Sequence, residues 1–373
     1  MRPVLLLLPL LVAGCPTPAP PPGGDPPTPD PSWEDLSETL ESAREEADLP
    51  ALGAVRIFEG SVTHLGTTGL RKVDEDIPVT DDDLWHLGSC TKAMTAALTA
   101  TYVDDGLLSW ESTLSELLPD LTGMHEDYRD VTVAMLLGHQ GGTWGSLLSH
   151  PDLWDMMGSN EGTLMEKRFQ VAESVLSEAP EVSPGTTLLY SNAGYIIVGS
   201  ALESLIGSPW EELMEERLFA PLDMGSCGFG IPDVDEDVSQ PWGHYDGDTP
   251  FLLDNPPAFG PAGTVHCSLE DWSHFAAAMI SGASGTGNFV SEAQFARLFT
   301  DQGFGYSMGW GILSNPIFGS SGFVHSGSNT TNYAEVWLAP DLESAVLAVT
   351  NSYRSDGSTT EAIQELLANL IDM

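Results

Sequence analysis

Strand-like segments stand at both ends of the globular part of this chain, and helix-like segments fill its middle, which points to a sheet that draws on both termini. Ala51–Phe58 and Ser61–Thr68 flank Glu59-Gly60 and read as a hairpin with a tight turn. Phe323–His325, Tyr333–Leu338 and Ala345–Thr350 read as strands near the other end, and Glu361–Ile371 closes the chain as a helix. Between them, Ser89–Val103 is rich in Ala, Met and Leu without Gly or Pro, and predicts a helix. Val131–Leu137, Leu164–Ser177, Asn192–Ile206 and Trp210–Leu218 carry helix-period apolar positions separated by Gly and Pro. The stretch that follows is turn-rich. There is no internal repeat, and the pattern predicts an α/β (α+β) lobe built from the termini with a mainly helical lobe inserted.

The first 32 residues stand apart from this plan. Arg2 precedes the apolar run Val4–Val12, which closes in Ala13, Gly14 and Cys15. The eleven apolar or small residues from Val4 to Gly14 are too few to cross a hydrocarbon core of about 30 Å, and Pro9 interrupts them. Residues 1–14 therefore read as a secretory signal peptide. Leu11-Val12-Ala13-Gly14-Cys15 resembles the bacterial lipobox, which implies cleavage before Cys15 and lipidation of that cysteine. Residues 16–32 hold nine of the chain's 27 prolines, so residues 15–32 form a lipidated cysteine and stiff tether reaching roughly 50 Å. The expectation is a protein lipid-anchored at the bacterial cell envelope, with residues 33–373 as one domain outside the cytoplasm.

The 373 residues carry 55 acidic and 12 basic side chains, a formal net charge of −43, and three lysines, at 72, 92 and 167. Such a surface repels phosphate backbones and excludes nucleic acid as a partner. The four cysteines are Cys15, Cys90, Cys227 and Cys267. With Cys15 lipidated, at least one of the other three stays free. In an oxidising compartment Cys227–Cys267 is the preferred disulfide, and Cys90 reads as a small buried residue. CxxC, HExxH and HxH spacings are absent from the sequence, so neither a metal site nor a cofactor is expected.

Three short motifs could carry chemistry. Ser89-Cys90-Thr91-Lys92 opens a predicted helix, and a three-residue spacing lets hydroxyl and amine face the same way. Serine becomes a nucleophile when a base takes its proton, and a desolvated lysine can be that base. Tyr190-Ser191-Asn192 opens another helix; a buried tyrosine can pass protons, and asparagine can hold a substrate amide. His325-Ser326-Gly327-Ser328 ends a predicted strand, where a glycine permits close approach of an acyl group and the next N–H can point at an oxyanion. Each is weakly specific alone: a capped helix with an exposed lysine, a packing tyrosine, and a strand running into a polar turn explain them equally well.

Together, in this order, they resemble the serine β-lactamase and penicillin-recognising family. The Tyr-x-Asn form is similar to the branch holding class C β-lactamases, D-alanyl-D-alanine carboxypeptidases, D-aminopeptidases and esterases. Trp85–Thr95, Met135–Gly142, Pro184–Leu202, Leu222–Gly230, Pro261–Phe275 and Tyr306–Gly311 also look like that family's recurrent segments, so the likeness covers residues 33–373. It implies a β-lactamase/transpeptidase-like fold, with an antiparallel sheet flanked by helices and an inserted helical lobe. It further implies Ser89 as nucleophile, Lys92 as its proton acceptor or relay, and Tyr190 as partner base and acid. Asn192, His325, Ser326, Gly327 and Ser328 would bind substrate, with the N–H groups of Ser89 and Ser328 as oxyanion hole.

Two departures bear on substrate. His325 stands where the family's third motif has lysine, and a neutral imidazole holds a β-lactam carboxylate less firmly than an ammonium. Gly138-His139-Gln140-Gly141-Gly142 differs from the family's His-Thr-Ser-Gly form; His139 itself reads as structural. Trp242-Gly243-His244-Tyr245 and Trp310 read as packing residues, His266 and His274 as polar residues near a predicted helix start, and Asp81-Asp82-Asp83 as a solvated loop. The expected partner is a small ester, peptide or β-lactam-like substrate. The alternative is a penicillin-binding sensor that is acylated without efficient turnover.

Overall fold

The computed structural model describes residues 33–232 and 237–373. The signal peptide, the tether and Cys15 lie outside the described residues. The strands of the main sheet are β1 (Glu34–Asp35), β2 (Ala51–Phe58), β3 (Ser61–Gly69), β4 (Gly311–Ser314), β5 (Ser321–Ser328), β6 (Tyr333–Ala339) and β7 (Ser344–Thr350). Their order is β1-β3-β2-β7-β6-β5-β4, antiparallel except where β1 runs parallel to β3. The two ends of the chain meet at β2 and β7, with Val55 opposite Leu347.

Strand alternation sorts the sheet's side chains into two cores. Leu52, Ala54, Trp337, Val346 and Ala348 face helices α1 (Ser37–Glu46) and α6 (Ser358–Ile371), meeting Leu40, Ile363, Leu367 and Leu370. Val55, Ile57, Val336, Leu338 and Leu347 face the other way, into a core shared with the inserted helices. Those helices include α2 (Thr91–Asp104), α3 (Leu164–Leu176), α4 (Asn192–Ile206) and α5 (Leu269–Ala283). Arg56 reaches across the first core and donates from Nε to Leu370 O at 3.0 Å, adding a side-chain donor to a carbonyl in the last turn of α6.

The helix α5 falls in a stretch read from sequence as turn-rich apart from a helix start near His266 and His274, and it begins there. Ser268 caps it by accepting from Asp271 N, and Leu269, Trp272, Phe275, Ala276, Met279 and Ile280 form its buried stripe. The segment Trp210–Leu218 is helical to Met214 and then widens into a π-type turn over Glu215–Phe219. Strand β5 runs on through Ser328, so the Ser326-Gly327-Ser328 segment is ladder rather than turn. A small sheet joins Trp85–His86, Val265–Cys267 and Gly228–Phe229. Beside it Cys227 and Cys267 are disulfide-bonded, their Cα atoms 4.1 Å apart, while Cys90 is buried and free.

Candidate active site

Ser89 lies in the tight 3-10 turn Gly88–Cys90 that leads into α2. That helix is buried almost throughout, which carries Lys92 inside with it at 0 % exposure. Its Nζ stands 3.0 Å from Ser89 Oγ and donates to Ala262 O at 2.6 Å. Burial holds the amine well below the ordinary lysine value, because the charged form loses its hydration. The rings of Tyr190 and Tyr195 cover it, with centroids 4.9 Å and 5.6 Å from Nζ. Thr91 and Thr95 fasten the helix to the segment carrying Ala262: Thr91 Oγ1 accepts from Val265 N and Thr95 Oγ1 donates to Pro261 O.

Tyr190 reaches Ser89 from the helical lobe. Its residue is 39 % exposed, yet its hydroxyl end is enclosed beside Ser89. Burial pushes that hydroxyl's pKa up, and the hydrogen bond with Ser89 partly offsets the rise. The loop from His139 to Trp144 sets the position of this motif. Leu189 N donates to His139 O at 2.8 Å, and Ser191 N donates to His139 Nδ1 at 3.1 Å. Thr143 Oγ1 donates to Ser191 Oγ, which donates onward to Trp144 O and accepts from Gly194 N, capping α4. The imidazole of His139 lies 4.3 Å from the Tyr190 ring, centroid to centroid, and burial drives its pKa far down. Asn192 opens α4, and among the described residues its Oδ1 is buried without a hydrogen-bond partner. A buried acceptor left open in the protein is suited to a donor on a substrate.

The third motif reaches Ser89 through its backbone. A Cβ on Gly327 would stand 2.1 Å from Leu87 O and 2.5 Å from Ser89 N, and one on Gly88 (φ +51°) 2.4 Å from Ser328 N. These two glycines therefore let β5 lie directly on the turn that holds Ser89. Cys90 Sγ, on the same turn, donates to His325 O.

His325 is 6 % exposed and its imidazole is fully engaged. Nδ1 lies 2.8 Å from the Ser326 carbonyl, which can only accept, so Nδ1 carries the proton. Nε2 then accepts from the Tyr306 hydroxyl at 3.1 Å. Burial first, and repulsion from Lys92 second, lower its pKa to about 3, so His325 is neutral at physiological pH.

Ser89, Lys92, Tyr190, His325 and Gly327 thus converge, and Asn192 follows Tyr190 by two residues at the start of α4. The Ser326 side chain does not join them: alternation turns it to the opposite face of β5, with Tyr333, and its contribution here is the carbonyl that orients His325. Ser328 offers its backbone N–H, while its Oγ accepts from Thr330 N. Sequence reasoning gave no role to Tyr306, Tyr195 or the Ala262 carbonyl. Tyr306 and Ala262 lie in segments already recognised as family-like, but their partners are distant in the chain and no spacing rule reveals them.

The Beta-lactamase family matches residues 36–369 of this sequence. An unguisins hydrolase of Aspergillus campestris is 25% identical, the match covering 92% of this chain and 66% of the fungal protein. Penicillin-binding protein 4 of Amycolatopsis lactamdurans is 24% identical over 89% of each chain. The octameric penicillin-binding protein homologue from Pyrococcus abyssi shares the fold with a TM-score of 0.70 at 23% identity, covering 88% of this chain and 76% of that one. Motif order, fold and sequence agree, and this chain belongs to the beta-lactamase family of serine hydrolases.

Proposed function

We propose that this protein is an exported, lipid-anchored hydrolase that cleaves esters, or amides of the D-amino-acid peptide type, through an acyl-enzyme on Ser89. The observation that carries the reading is the buried Lys92 amine 3.0 Å from Ser89 Oγ, held toward its neutral form by burial. One N–H of that amine is fixed on Ala262 O, which leaves its lone pair for the serine proton. Ser89 Oγ attacks the acyl carbon as its proton passes to Lys92, and the oxyanion forms against the N–H groups of Ser89 and Ser328. Tyr190 relays the proton to the leaving group as the ester or amide bond breaks. Water then attacks the acyl carbon, gives a proton back through the same groups, and restores Ser89.

Substrate charge follows from His325. Its proton faces the Ser326 carbonyl and its lone pair faces Tyr306, so it offers no cation to a substrate carboxylate. This favours uncharged acyl substrates over β-lactams and C-terminal carboxylates. Support for export and anchoring comes from the Arg2–Cys15 sequence, and the Cys227–Cys267 disulfide fits an oxidising compartment. Ser89→Ala is expected to abolish p-nitrophenyl ester turnover while leaving the circular dichroism spectrum and melting temperature in place. Undiminished turnover by that variant refutes the mechanism.

A further inference from the structure

The turn that carries the nucleophile is held by a pair of side chains that take no part in the chemistry above. Gly88 adopts a left-handed conformation, φ +51°, and its N–H donates to His86 Nδ1 at 3.1 Å. His86 is 2 % exposed, and its other nitrogen, Nε2, lies 3.0 Å from Asp254 Oδ1. The arrangement fixes the tautomer. A nitrogen that accepts from Gly88 carries no proton, so the proton sits on Nε2 and is donated to the carboxylate. Asp254 is itself set by the Asn255 N–H, which donates to Oδ1 at 2.7 Å.

The same short loop touches the rest of the site. Asn255 Nδ2 donates to Gly263 O at 2.8 Å, one residue from the Ala262 carbonyl that holds Lys92. Leu253 O accepts from Asn329 Nδ2 at 3.0 Å, one residue beyond Ser328. On the opposite side His86 is paired across the small sheet with His266, in the strand that ends at the disulfide-bonded Cys267.

We propose that His86 and Asp254 are positioning residues for Ser89: Asp254 fixes the His86 tautomer, and His86 fixes the Leu87–Gly88 peptide, and with it the Gly88 conformation that sets the next peptide, which carries the Ser89 N–H and aims Ser89 Oγ. The inference rests on the Ser89 acyl-enzyme reading above. It gives a use to a left-handed glycine that must lie flat against Ser328 N. If the Gly88 N–H lost its acceptor, the Ser89 N–H would turn away from the oxyanion even though Lys92 and Tyr190 stayed in place.

The test uses two substitutions at one position. In His86→Asn the amide oxygen falls near the Nδ1 position and can still accept from Gly88, while contact with Asp254 is lost. In His86→Gln the longer amide reaches Asp254 but leaves Gly88 without an acceptor. Asp254→Asn keeps shape and frees the tautomer. With a p-nitrophenyl ester, His86→Gln and Asp254→Asn are expected to lower the acylation rate and kcat at least tenfold with KM within twofold of wild type. His86→Asn is expected to keep a rate several-fold above His86→Gln, at matched melting temperatures. Equal rates in the Asn and Gln variants, or losses that track melting temperature alone, overturn the proposal. A wild-type protein that forms no Ser89 adduct removes the acyl-enzyme reading instead, and this inference with it.

Discussion

Lys92 and His325 are both bases inside the site, and burial pushes the pKa of each down, while each ring nitrogen of His325 is also occupied. The consequence is an amine 3.0 Å from Ser89 Oγ whose neutral form burial favours, near an uncharged imidazole. Lys92→Met removes the acceptor at nearly constant volume, and turnover is expected to fall by about 10²- to 10⁴-fold. Because the variant also removes a buried amine, its melting temperature should hold or rise; retention of full turnover at Lys92→Met contradicts the assigned role. His325→Lys restores the ammonium of the family's third motif, and benzylpenicillin is expected to acylate it at least tenfold faster than wild type, followed by intact mass. No change there would show that another group governs carboxylate recognition. The Ser89–Lys92 pair was legible in the sequence because a spacing of three fixes a geometry on any helix. Tyr306 was not, since its contact with His325 spans 19 residues and exists only once β5 and the preceding loop are in place.

At the level of elements, the site depends on one close contact, β5 against the turn before α2. A methyl group at position 327 would collide with backbone on that turn, so Gly327→Ala is expected to push strand and nucleophile apart and to cut turnover more than a hundredfold. Retained rates would mean that the two elements can separate without cost to the oxyanion site. The disulfide closes a 40-residue separation, and loop-entropy arguments give it roughly 4 kcal/mol. Cys267→Ser should accordingly lower the melting temperature by many degrees, measured by calorimetry; an unchanged value would contradict a bracing role for that strand. Sequence patterning placed β2, β3, β6, β7, α2 and α4 closely because their apolar periods are strong. For α5 it marked only a start, near His266 and His274, and no extent, although Ser268, Asp271 and the stripe from Leu269 to Ile280 were readable, because the glycines and prolines around that helix dominate the local composition.

Over the whole molecule, net charge and buried histidines set the response to solution conditions. The formal charge of −43 makes surface repulsion a destabilising term that salt screens, so the melting temperature should climb between 10 mM and 0.5 M sodium chloride. His139, His244 and His325 are held below the ordinary histidine value of 6.5 by burial. Unfolded, they bind protons below about pH 6.5; folded, they resist doing so, and His325 does until about 3. Their contribution is complete above the unfolded value and is lost as pH falls through that window. Glu203 and Glu335 oppose it, since burial raises their pKa values. Stability is expected to decline from pH 6.5 toward pH 4, and a flat profile in denaturant titrations would contradict the buried-neutral assignment. The central claim is the Ser89 acyl-enzyme with a preference for uncharged acyl groups. Its most direct test is intact-mass spectrometry of the full chain after brief exposure, separately, to a p-nitrophenyl ester and to benzylpenicillin, with Ser89→Ala as control. The account predicts ester turnover through a transient acyl adduct, absent in the control, and slow or no penicillin adduct. A protein that forms a stable penicillin adduct at Ser89 and leaves the ester untouched would contradict it.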